Sequence, residues 1–385
     1  MKKEDITGLF VWLLILGGGA AYFFFAIRPQ ANNSFVFQET NWVVYVLFFI
    51  AAVVVGVIIN AIIFEVAHVL GAKAGRYNIV STNILGFTFY KEDGKRKFHF
   101  SHFDGLTGET KILPKEHAKK EPNPTAFLLF GSLFFGVEII LVIFVYLFIT
   151  TSQDERSIAF DMAYFILTIG ITGAAILFYN IVPFRLDSLT DGYRLRLVGS
   201  RKNRQAFNQL LFTEVTGQIS KEQEEKIFKG EKESNFSTDM NLNKAYLLLS
   251  EEKFPEAEKI LNDIVNDKKS ARKIVTTAEN QLIYINLLTK SLEEARLFCE
   301  ERVSMSKKRD ISSDQSMGAI RTYVLISGLI DKSNSECVRA LEWSKKSFKR
   351  VPDQRKPLER VLFNRALQKV IDAHPNWEDL KTYIL

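Results

Sequence analysis

With 385 residues, 47% of them apolar, and a net charge of +6, the chain is long enough for two or three domains and only mildly basic. No nucleic-acid-binding motif accompanies the basic residues, which cluster beside apolar runs and suit anionic lipid headgroups instead. The only cysteines, Cys299 and Cys337, lie in the charged second half without C-x-x-C spacing, and the default reading is two reduced core thiols.

Four apolar runs are long enough to cross a hydrocarbon layer of ~30 Å, and all lie in the first half of the chain. The first covers Leu9 to Ile27 behind Met1-Lys2-Lys3. No small-residue cleavage site precedes Arg28, so the run reads as an uncleaved anchor. Its Gly17-Gly18-Gly19-Ala20-Ala21 segment predicts close approach of a neighbouring helix.

The second run, Trp42 to Ile63, leads into Phe64-Glu65-Val66-Ala67-His68, an H-E-x-x-H pattern with phenylalanine in place of the first histidine. On a helix, positions 64 and 68 share a face. In the intact motif two imidazoles there hold one zinc, and the glutamate activates its water. Here His68 keeps its place and Phe64 offers no ligand. If the span begins near Trp42, Glu65 lies roughly 34 Å along the helix, close to a membrane interface.

The loop from Gly71 to Thr125 carries ten lysines and arginines, whereas the loops at 28–41 and 150–158 carry one each. Arg185, Arg194, Arg196, Arg201, Lys202 and Arg204 follow Pro183. The positive-inside rule therefore predicts a cytosolic N-terminus, long loop and C-terminal half. Within that loop, Asn83 to Tyr90 and Lys97 to Phe103 flank a turn signal at Lys91-Glu92-Asp93-Gly94-Lys95, which predicts a β-hairpin at the membrane surface. Its free edge is read either as a receptor for an extended peptide or as a peripheral strand whose Phe98 and Phe100 touch lipid. His99 and His102 read as solvated loop residues, with nothing to fix them as substitute zinc ligands.

The third run, Ala126 to Ile149, contains Gly131-Ser132-Leu133-Phe134-Phe135-Gly136 and then Glu138 near mid-bilayer. An ionisable side chain at that depth costs about 2.5–3.5 kcal/mol on insertion scales. Glu138 either hydrates a cavity or hydrogen-bonds a neighbouring helix. The fourth run, Ala159 to Val182, ends in Asn180-Ile181-Val182-Pro183 and is followed by Asp187 and by Asp191-Gly192.

A helix bearing H-E-x-x-H, paired with a later helix ending N-x-x-P before D-G, resembles the site-2 protease family of intramembrane zinc metalloproteases. The resemblance covers residues 42 to about 200. It implies a multi-pass metalloendopeptidase of a bacterial cell membrane that cuts membrane-embedded protein or peptide segments near the cytosolic face. It also implies that His68 and Asp191 bind zinc, that Glu65 is the general base and that Asn180 and Pro183 position substrate. Two departures bear on activity: Phe64 replaces a ligand, and no asparagine occupies the G-x-x-x-N position at Phe135. The chain is accordingly expected to be inactive or impaired, with zinc weak or absent. Three readings of Phe64 stay open, namely a natural pseudoprotease, an engineered inactive variant and an enzyme with a replacement ligand. The alternative to an enzyme is a membrane scaffold that binds transmembrane segments and a cytosolic protein partner.

From Asn241 the sequence is helical and weakly repetitive. Lys253-Phe254-Pro255-Glu256-Ala257 through Val265 aligns with Ser291-Leu292-Glu293-Glu294-Ala295 through Val303 at an offset of 38 residues, close to a tetratricopeptide period. A looser third pair covers Gln315 to Ile330 and Ser335 to Phe348. The predicted fold is thus an α-helical polytopic membrane domain over residues 1–200 with a small β-hairpin, a helical linker over 201–240, and a soluble tetratricopeptide-like helical domain over 241–385.

Overall fold

The computed structural model describes residues 3–33, 42–92, 95–100, 108–115, 121–153, 157–183, 190–218, 235–267 and 270–385. The chain divides into two compact units, Met1–Asn208 and Gln209–Leu385.

In the first unit, helix α1 (Lys3–Tyr22) passes through a π turn at Phe23–Ile27 into α2 (Arg28–Asn33), and three longer helices follow: α3 (Trp42–Ala74), α4 (Pro124–Ser152) and α5 (Ile158–Ile181). Among the described residues, four segments have the length and hydropathy of membrane spans: Ile6–Gln30, Val43–Ala74, Pro124–Ser152 and Ile158–Ile181. This is a multi-pass membrane protein. Each span satisfies its backbone hydrogen bonds internally, which hydrocarbon demands, and most of its apolar side chains face outward where lipid replaces a protein core. The ends are set by side chains: Asn123 accepts from the Thr125 amide at 3.0 Å ahead of Pro124, and Ser157 accepts from the Phe160 amide at 3.2 Å.

Helix α3 continues past the end of the apolar run at Ile63 to Ala74, so residues 64 to 68 are helical as the motif requires. One expectation changes. Among the described residues no helix approaches the glycines at 17 to 19; a methyl group added at any of them meets nothing within 4 Å. The first span is joined to α5 elsewhere, through Trp12 against Tyr179 at 5.5 Å and the Tyr22 hydroxyl on Thr168 at 3.1 Å.

Between α3 and α4 the chain forms a four-stranded antiparallel sheet of β1 (Tyr77–Ile84), β2 (Phe87–Glu92), β3 (Lys95–Phe100) and β4 (Gly108–Pro114), in the order β3-β2-β1-β4. The expected hairpin is β2 with β3, but the predicted first strand is split. Leu85 and Gly86, both at positive φ, make a two-residue turn that assigns Asn83 and Ile84 to β1. Phe103 and His102 lie outside the described residues. Phe87 faces Phe100 and Phe89 faces Phe98 across β2 and β3, and all four are at least half exposed.

After α5 come α6 (Asp191–Leu197) and α7 (Arg201–Thr216). The second unit contains α8 (Asn235–Ser250), α9 (Phe254–Asn266), α10 (Arg272–Thr289), α11 (Leu292–Arg302), α12 (Met305–Ser313), α13 (Met317–Leu325), α14 (Asn334–Arg350) and α15 (Lys356–Ala373). The sequence offset matches α9 and α11, which start at Phe254 and Leu292. Every residue of α13 is buried, with α10, α12, α14 and α15 packed around it. Of the expected linker, residues 219–234 lie outside the described residues.

Cys299 and Cys337 are buried in this second core, and burial pushes both thiols up to about 11. At neutral pH the thiolate fraction is therefore small. Both should resist an aromatic disulfide reagent in the native chain and react fully after denaturation; rapid labelling of the native protein would contradict the burial.

Candidate functional site

Helix α3 carries Asn60, Phe64 and His68 at successive four-residue steps, so the three side chains form one stripe. Helix α4 answers with Phe127, Gly131 and Phe135 at the same spacing. His68 is 4% exposed, and its Nδ1 donates to the Phe127 carbonyl at 2.9 Å. That bond fixes the ring and turns Nε2 toward α6.

Asp191 meets it there, with Oδ2 at 3.2 Å from His68 Nε2. Local sequence makes this approach happen. The Thr190 hydroxyl donates to the Val182 carbonyl at 2.8 Å and accepts from the Tyr193 amide at 3.3 Å, which caps α6 on the end of α5. Gly192 lets the two backbones touch, since a Cβ there would stand 1.8 Å from the Ile181 carbonyl oxygen. Arg194 Nη1 lies 4.0 Å from the other oxygen of Asp191. Glu65, 1% exposed, accepts from the Thr110 hydroxyl of β4 at 2.7 Å.

Phe64 lies one turn before His68 on the same face of α3. Its ring stands edge-on to His68 at 4.4 Å and 87°, and stacks on Phe135 at 5.4 Å and 16°. Phe64, Phe135 and Ile176 form a buried apolar cluster. Gly131 is cut to this ring: a Cβ on it would lie 2.4 Å from Phe64 Cε2. Gly131→Ala should therefore destabilise the first unit by about 1–3 kcal/mol through overpacking, and much less in a Phe64→Ala background that opens the space. Thermal unfolding of the four members of that cycle measures the coupling; equal costs in both backgrounds would show that the ring is not what Gly131 accommodates.

The donor set can be tested against zinc. Tetrahedral ligands at 2.0–2.2 Å from the metal are about 3.4 Å apart, and His68 Nε2 and Asp191 Oδ2 are 3.2 Å apart. Their spacing suits two ligands, and the carbonyl held by Nδ1 is the kind of support that orients a metal-binding histidine. Among the described residues no third protein ligand joins them, since no group of three His, Cys, Asp or Glu side chains there could hold a metal. His99 lies on β3 against the Tyr90 ring at 5.0 Å, and Asp187 falls outside the described residues. The described residues alone do not make the three-ligand site that the resemblance implies.

The two residues expected to position substrate stand at the end of α5. Asn180 donates to the Ile176 carbonyl at 3.0 Å within its own helix, and Pro183 is exposed just beyond the helix end. The sequence reading missed Thr110 and the Phe127 carbonyl, and it took Phe135 as an absent asparagine when it is the stacking partner of Phe64. The alternation of Thr110 and Ile112 between exposed residues of β4 was the available signal for the first. Searches against protein-family models, curated proteins and solved structures found no match to this chain.

Proposed function

We propose that this chain is a non-catalytic, site-2-protease-like membrane protein that retains the frame of a zinc peptidase without a working metal site. The observation that carries this reading is the packing of Phe64: a phenylalanine in a ligand's place is stacked on Phe135, fitted against Gly131 and buried beside a His68 that has Asp191 as its partner. Phe135, which stands at the asparagine position and stacks on Phe64, favours a natural pseudoprotease over a single inactivating change. Glu65, the general base of an active relative, is held by the Thr110 hydroxyl, and among the described residues no group of three His, Cys, Asp or Glu side chains stands beside it to hold a metal.

In this reading the protein sits in a bacterial cell membrane with its N-terminus and helical second unit in the cytosol. It holds membrane-embedded polypeptide segments near the cytosolic face, and its tetratricopeptide-like helices receive a cytosolic protein. Zinc is absent or weakly held. The test uses the full chain in nanodiscs with a single-span peptide that carries a photo-cross-linker and a fluorophore pair across its cytosolic end. Cross-linking without cleavage is expected; cleavage that Glu65→Gln abolishes would establish the peptidase instead.

A further inference from the structure

Two buried oxygen atoms of the first unit face one point, and among the described residues no donor reaches either. Asn60 on α3 is fully buried, and its Nδ2 donates to the carbonyls of Gly56 at 2.7 Å and Ile169 at 3.1 Å. Turning the amide over would lose both bonds, so Oδ1 is fixed as an acceptor. Glu138, at the midpoint of α4, brings Oε2 to the same place. Both atoms are buried, and neither has a hydrogen-bond partner among the described residues.

The meeting point is Gly173 on α5. A methyl group built on it would lie 2.5 Å from Asn60 Oδ1 and 3.3 Å from Glu138 Oε2, so one small group beside this glycine reaches both oxygens. An amide carbonyl and an ionised carboxylate can only accept. A hydrogen atom must come from somewhere, and leaving both acceptors bare in hydrocarbon is unfavourable. The titratable side chains nearest along the packed helices do not supply it: Glu65 and His68 lie beyond the Phe64–Phe135 layer, and Asp161 is about three turns away on α5.

We propose that Asn60 and Glu138 form an intramembrane proton site. Glu138 carries its proton and donates it to Asn60 Oδ1, directly or through one water in the space that Gly173 leaves. The site lies one turn from Phe64 along α3 and one turn from Phe135 along α4, so the aromatic layer separates it from His68 and Asp191. It does not depend on the functional reading above.

Infrared difference spectroscopy of the full chain in nanodiscs at neutral pH tests it. Subtracting the Glu138→Gln spectrum should reveal the carbonyl band of a protonated carboxylic acid. Asn60→Leu removes the acceptor and Gly173→Ala fills the meeting point, so each should shift that band to higher frequency; either variant alone suffices if the other fails to fold. Loss of carboxylate bands in Glu138→Gln, or an acid band unmoved by the Asn60 and Gly173 changes, would overturn the proposal.

Discussion

Phe64→His is expected to raise zinc affinity by about two to three orders of magnitude. Sharing a structural zinc binding energy of ~10–16 kcal/mol over four ligands gives about 3–4 kcal/mol for each, and every 1.4 kcal/mol is tenfold in affinity. The other donors need little movement. His68 Nε2 and Asp191 Oδ2 already stand 3.2 Å apart, and position 64 is one turn before His68 on the same face. Histidine is smaller than phenylalanine, so the space beside Gly131 admits it at the cost of the stack on Phe135. Chelator competition on the purified chain measures the change, and a gain of less than tenfold would mean that Phe64 does not stand in a ligand's place. Glu65→Gln in that background should leave the metal bound and remove any peptide cleavage gained, because it takes away proton transfer without taking away a coordinate bond.

Glu359→Ala should destabilise the second unit by about 3–5 kcal/mol, a large share of the ~5–15 kcal/mol that holds an ordinary domain together. Arg321 is completely buried on α13, between the rings of Tyr246 at 4.9 Å and Tyr284 at 5.0 Å. Its Nη1 donates to Glu359 Oε2 at 2.8 Å and its Nη2 to Gln281 Oε1 at 2.5 Å. Arg355 takes the other oxygen of Glu359 at 3.1 Å. Removing the carboxylate leaves a buried guanidinium with no counter-charge, whereas replacing Arg321 and Glu359 together by apolar residues of similar volume should cost much less. Denaturant unfolding of the full chain, read by exposure of the Cys337 thiol, reports on this unit. A cost below about 1 kcal/mol for Glu359→Ala would show that solvent reaches the pair.

The spans were legible because hydrocarbon imposes a requirement that composition alone can meet: an unbroken apolar run with its backbone bonded to itself. The meeting of His68 and Asp191 was legible too, since both follow apolar runs that end on the same side by the distribution of basic residues. What surrounds them was not. Phe135 reads in sequence as one more apolar residue of a span, and only the structure shows that it fills the layer under Phe64. Strands β1 and β4 were missed because Ser81, Thr82, Asn83, Glu109 and Lys111 dilute the apolar alternation, and the turn at Leu85-Gly86 lacks the usual Asn-Gly or Asp-Gly signal. In the second unit, Arg321 interrupts the apolar pattern of α13, and the residues that make its burial tolerable come from α10 and α15, about 40 positions away on either side.

The zinc content of the unaltered chain tests the central claim most directly. Metal analysis of the full-length protein, purified in detergent with zinc present and then dialysed against a moderate chelator, should give well under one zinc per chain, because two protein donors do not complete a site of the three-ligand kind. One zinc per chain that survives the chelator and is lost on Asp191→Ala would contradict the account and reveal a third ligand in the protein.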